Sequence, residues 1–235
     1  MVSPVQELIK NHKTYFYGVA SFYAFFITFG FFLSVTSVAY IIYGLETTPL
    51  LWLLLPGLLY VITQLANGFF LFTITYISAL LLEHKEVTLQ DTQFIIQSFF
   101  LEILKLPFFI LFNRDSLRRY LSYPHAIFSN ITLSSSYEEA ENLKEAIGDS
   151  YSMLSLSFIG VATLLTVAAT LLVYLLPLSI YILFGVSATY TFTLSLAWFY
   201  FKTPKLIERT ALYIYAKAGR ILSPFTFDDL KETVS

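Results

Sequence analysis

Uncharged residues gather in three long runs, at 14–45, 47–82 and 150–201. A bilayer core about 30 Å thick is crossed by about 20 helical residues rising about 1.5 Å each. The first run therefore predicts one spanning helix, at 17–40. Pro49 and Pro56-Gly57 break the start of the second, which leaves a span at 57–82. The third is too long for one span, and Pro177 divides it into spans at 152–175 and 178–201. No strand-like alternation interrupts these runs, and backbone satisfaction in lipid favours helices. The expected fold class is all-α: a polytopic bundle of four transmembrane helices plus interfacial or re-entrant helices, in a single domain over 1–235.

The polar pattern changes between 83 and 149. Thr88-Leu-Gln-Asp91 reads as a helix start with an acid in its first turn. Gln90, Gln93, Gln97, Glu102 and Lys105 then recur at helical spacing amid Phe and Ile, which predicts an apolar interfacial helix over 89–112, interrupted at Pro107. A second helix is expected over 116–131. The alternative is a pair of extra spans at 94–112 and 117–133, six in all. It would carry Arg114, Arg118 and Arg119 to the outer side and take Glu102 and Lys105 into the bilayer, although their i,i+3 spacing permits pairing. The interfacial reading is preferred, and the pair stays open. Ser135-Ser-Tyr-Glu138 and Ser136-Tyr-Glu-Glu139 are overlapping capping boxes that predict an acidic helix over 137–147. Thr203-Pro204 predicts an N-cap and first position for a separate tail helix over 204–218, closed by Gly219.

Charge orients this pattern. All fourteen Lys and Arg lie before the first span, between the second and third, or after the fourth. The loops near Glu46 and Pro177 hold none. By the positive-inside rule, both termini and the central segment are cytoplasmic in a multi-pass plasma-membrane protein. Only 13% of residues are charged, which is about half the share of a soluble domain. With no cysteine there is no disulfide or thiolate chemistry, and no basic block of useful size points to nucleic acid.

Few residues offer chemistry. Gln64, Asn67, Thr75 and Ser78 share a face of the second span with Gly68 and Ala79. They read either as a polar lining for a solute or headgroup, or as interhelical packing, which is the commoner role. Smaller seams, Ser155, Ala162, Thr166 and Ala169 on the third span and Ser187, Thr191 and Ser195 on the fourth, read the same way. Arg114, Arg118 and Arg119 are candidates for lipid-headgroup contact, against plain positive-inside anchoring. His12, His84 and His125 are far apart and form no metal pattern, so they read as interfacial histidines. No catalytic pair, metal site or cofactor motif is visible. Asn130-Ile-Thr132 matches a glycosylation sequon on the side expected to be cytoplasmic.

Three segments carry a resemblance. Glu208-Arg-Thr-Ala-Leu-Tyr-Ile-Tyr-Ala-Lys-Ala-Gly219 with Pro224-Phe-Thr-Phe227, the stretch from Leu65-Ala-Asn-Gly-Phe69 to Leu89-Gln-Asp91, and 138–147 together resemble an uncharacterised family of multi-pass prokaryotic membrane proteins with a C-terminal ALYxYA…G motif. The resemblance implies fold and location, and the family carries no assigned activity. Its six spans would map the central pair onto 94–112 and 117–133, here shortened and charged.

With no ionisable residue in the four predicted spans, a proton-coupled carrier or voltage sensor is disfavoured. The expectation is a structural or accessory subunit acting through a homo-oligomer or a membrane-protein complex in the lipid bilayer, with no nucleic-acid partner. The alternative is a small-solute or lipid permease or channel.

Overall fold

A computed structural model describes residues 4–44, 54–112, 116–147, 156–175, 180–219 and 221–226. Among these residues the fold is entirely helical: α1 (Pro4–Asn11), α2 (Lys13–Gly44), α3 (Leu54–Leu82), α4 (Leu89–Phe112), α5 (Ser116–Ser129), α6 (Leu133–Ile147), α7 (Leu156–Leu175) and α8 (Ile180–Ala218). Three of them contain stretches long and apolar enough to cross a membrane: Lys13–Ser37, Gly57–Leu82 and Ile182–Tyr215. The apolar part of α7, Ile159–Ala169, is shorter. Three such stretches, not four, are therefore present among the described residues.

Two expected interruptions are absent. The helix α4 continues through Pro107, and α8 continues through Pro204. Thr203 is thus a buried interior residue, not an N-cap. An interior proline costs roughly 3 kcal/mol or more in an isolated helix, but packing on neighbouring helices can override that preference, as it does in membrane helices.

The chain forms two compact units. One comprises 1–19, 68–153 and 202–235; the other comprises 20–67 and 154–201. The core of the first is apolar and aromatic: Phe70, Phe72, Ile74 and Ile77 of α3, Ile95, Phe99, Ile103 and Leu106 of α4, Leu121 and Tyr123 of α5, and Ile207 and Tyr213 of α8 are all buried. Phe72 holds Phe99 at 5.2 Å and Tyr123 edge-on at 5.7 Å between ring centroids. Gly68 sets the approach of α3 to α4. A Cβ there would lie 2.5 Å from Leu106 Cδ2 and 3.2 Å from Ile103 Cγ2.

In the second unit Gly30 of α2 plays the corresponding part, since a Cβ would meet Ile62 Cγ2 of α3 at 2.6 Å. Phe32 packs on Phe184 at 4.2 Å. Phe22, Phe25, Phe29 and Leu33 of α2 form an exposed apolar stripe at helical spacing.

Helix ends use local chemistry. Thr88 and Asp91 form a reciprocal cap at the start of α4: Asp91 N–H donates to Thr88 Oγ1, while Thr88 N–H donates to Asp91 Oδ2 at 2.8 Å. α3 ends in a Schellman turn, with His84 at φ 56° and Lys85 N–H donating to Leu80 O. α5 ends the same way, with Asn130 at φ 51° and Ile131 N–H on Ala126 O. At Gly219, φ is 62° and its N–H reaches Tyr215 O, closing α8 where the sequence placed the stop.

Candidate functional site

A connected polar cluster lies in the first unit, around a residue that sequence spacing left isolated. α5 and α6 form a hairpin through residues 130–132, and α8 packs on it with Tyr213. His125 projects from α5 into this junction and is only 7% exposed. Its Nε2 lies 2.7 Å from Glu139 Oε2 of α6. Its Nδ1 lies 2.8 Å from the Tyr213 hydroxyl of α8. Phe128 stacks on the Tyr213 ring at 5.4 Å, and Lys217 Nζ sits 5.7 Å from that ring's centroid. The Lys217 ammonium donates to Ser129 Oγ at 2.7 Å.

The α6 end of the cluster departs from the expected capping boxes. α6 begins at Leu133, one turn earlier than the sequence suggested, with the Thr132 hydroxyl accepting from Ser135 N–H. Both members of the expected Ser136/Glu139 box are engaged by α5 instead. Ser136 Oγ donates to Ser122 O at 2.6 Å, and Glu139 pairs with His125. Cross-helix partners with buried geometry have won over a local cap that water can replace. The Leu133 N–H is taken by Glu102 Oε2 of α4 at 3.1 Å. Glu102 also pairs with Lys105 at 3.0 Å, at the i,i+3 spacing noted in the sequence.

The arrangement is suited to fastening three helices, not to turnover. A carboxylate orienting a histidine is one part of a nucleophilic triad. Here the other imidazole nitrogen is occupied by Tyr213, which is 1% exposed and out of reach of a substrate. The Ser129 hydroxyl stands 3.5 Å from Nδ1, too far for an effective hydrogen bond. Among the described residues no group of three or more His, Cys, Asp or Glu could hold a metal ion.

The residues singled out from sequence are placed differently. Thr75 and Ser78 are buried in the first unit, and the Ser78 hydroxyl donates back to Ile74 O at 2.6 Å. That bond within the helix satisfies the hydroxyl without a neighbour. Gln64 and Asn67 are half-buried and belong to the second unit. Arg114 and the side chains of Arg118 and Arg119 lie outside the described residues, as does Ser155. His84 has a backbone role at the end of α3, and His12 sits between α1 and α2. The sequence reading missed His125, Glu139 and Tyr213 as a set. His125 and Ser129 do share a helix face at i,i+4, but Tyr213 is 88 residues further on.

In the second unit, α7 and α8 enclose an open cavity of about 380 Å³, lined by Leu165, Ala169 and Leu172 on one side and Gly185, Thr189 and Tyr190 on the other. Thr189 donates to Gly185 O, and Thr166 bonds Ala162 O and the Tyr190 hydroxyl. The polar groups are thus engaged with the helices themselves, and the cavity wall is largely apolar.

Compared with known proteins, the chain matches no family model, no curated protein and no solved structure.

Proposed function

We propose that this is a multi-pass membrane protein with four spans and a cytoplasmic collar, serving as a structural or accessory subunit through self-assembly or a membrane partner. The observation that carries it is the outer face of α4. Phe94, Leu101 and Phe108, seven residues apart, are 57%, 67% and 62% exposed, while Ile95, Phe99, Ile103 and Leu106 are buried on the opposite side. Gln97 and Lys105 are exposed on the same side, yet a helix that exposes three large apolar side chains at heptad spacing needs lipid or another chain there. The fourth span would be α7. Its 20 residues reach about 30 Å, and Leu164, Leu171 and Leu175 present exposed apolar side chains. The distribution of Lys and Arg supports cytoplasmic termini.

Assembly is tested by extracting the protein from native membranes in mild detergent and measuring the particle mass. A complex that Phe94→Gln, Leu101→Gln and Phe108→Gln together dissolve supports the subunit reading. A monomer without partners refutes it. Topology is tested by single cysteines in this cysteine-free chain: introduced at positions 3 and 232, they are expected to react only with a permeant thiol reagent in intact cells.

A second reading, a permease or channel for a small solute or lipid, is favoured by the cavity between α7 and α8 and by Gln64 and Asn67 on α3. It fails if Gln64→Leu with Asn67→Leu, and separately Gly185→Leu, leave flux into proteoliposomes unchanged.

A further inference from the structure

We propose that His125 is a protonation-operated latch that fastens α8 to the α5–α6 hairpin. The polarity of the network carries the argument. An ionised carboxylate only accepts hydrogen bonds, so with Glu139 ionised Nε2 carries the imidazole hydrogen and donates it to Glu139 Oε2 at 2.7 Å. Nδ1 is then a lone pair, and the Tyr213 hydroxyl 2.8 Å away donates to it. In this state both nitrogens and the hydroxyl proton are satisfied, and α5, α6 and α8 are tied together by side chains 14 and 88 residues apart in sequence.

A second proton on the imidazole can go only to Nδ1. The Glu139 bond survives and gains charge, but the Tyr213 bond reverses. Nδ1–H now donates, and the hydroxyl proton of Tyr213 must find another acceptor. Tyr213 is closed to solvent, so water does not supply one. Ser129 Oγ, 3.5 Å from Nδ1, accepts from the Lys217 ammonium. Among the described residues, Glu139 from α6 and Tyr213 from α8 are hydrogen-bonded to the imidazole, and Lys217 of α8 lies nearby on Ser129 and the Tyr213 ring. Glu102 of α4 is directed to Leu133 and Lys105. Protonation therefore strengthens the link within the hairpin and leaves the link to α8 with a buried hydroxyl proton unpaired, which weakens it.

The test uses the full chain in lipid nanodiscs with spin labels at Ser134→Cys on α6 and Ile221→Cys just beyond α8, both exposed. Distance distributions are measured at pH 8 and pH 5. The expected result is one narrow distribution at pH 8 and, at pH 5, a second, longer population enriched roughly fivefold or more. Tyr213→Phe, which has no hydroxyl proton to strand, is expected to give the same distribution at both pH values. His125→Gln, which cannot take the proton, is expected to do the same. An unlabelled sample with ¹⁵N-histidine is expected to show the Nε2–H tautomer for His125 at pH 8. Identical wild-type distributions at the two pH values would overturn the latch, as would a Tyr213→Phe protein that responds as strongly as wild type.

Discussion

The Glu102 carboxylate of α4 accepts the Leu133 amide hydrogen at 3.1 Å, capping α6 from another helix. Glu102 has only 15% of its side chain exposed, whereas its partner Lys105 has 67%. A charge that would be costly in a membrane span thus sits at the positive dipole end of α6 and takes one of its N–H groups. Glu102→Ala is expected to destabilise the protein by about 1–3 kcal/mol, because the buried amide loses its acceptor. Lys105→Ala is expected to cost no more than about 0.5 kcal/mol, as solvent screens an exposed pair. Denaturant unfolding in detergent distinguishes the two. Equal effects would mean that the ion pair, and not the cap, matters.

Gly68→Ala introduces a methyl group where Leu106 Cδ2 already lies 2.5 Å from the Cβ position. Overpacking of this kind costs about 1–3 kcal/mol. Leu106 can shift only against a core in which Ile103 is also buried. Gly18→Ala in α2, with nothing within 4 Å of its Cβ position, is the control and is expected to stabilise by up to about 1 kcal/mol through helix propensity. Thermal unfolding should show shifts of opposite sign.

Two helix ends make a reciprocal prediction. Gly219 and His84 both adopt positive φ, at 62° and 56°. Gly219→Ala is expected to cost about 1 kcal/mol, since a Cβ is strained there. His84→Gly is expected to stabilise by up to about 1 kcal/mol, because it relieves the same strain at the end of α3. Hydrogen exchange of the last turns of α8 and α3 would measure each change locally.

The Thr88 hydroxyl and amide hold the Asp91 carboxyl below the usual carboxylate range. A group with a depressed folded pKa contributes stability that is fully present above its unfolded value, roughly 3.9. That contribution is lost as pH falls through the lower folded value. The first turn of α4 is therefore expected to fray in acid, by no more than a few tenths of a kcal/mol because Asp91 is exposed to screening solvent. The Thr88 amide resonance should follow the titration in wild type and be flat in Asp91→Asn. A Thr88 resonance unaffected by acid in wild type would contradict the cap.

Hydropathy and punctuation made much of this molecule legible. The uncharged runs mark α2, α3 and α8, since a long apolar helix follows from composition and length. Thr88, Asp91 and Gly219 announced their helix ends because capping depends on neighbours within one turn. The i,i+3 pair of Glu102 and Lys105 was visible for the same local reason. What the sequence left undecided depended on residues distant along the chain. Pro107 and Pro204 looked like breaks, yet packing carried both helices through them. Ser136 and Glu139 looked like a cap, yet Ser122 and His125 on the adjacent helix claimed them. His125 looked incidental until the fold placed Tyr213 beside it. Local spacing set the helices and several of their ends; only tertiary packing chose partners for the buried polar groups, because a desolvated donor or acceptor takes whatever complementary atom the fold brings within reach.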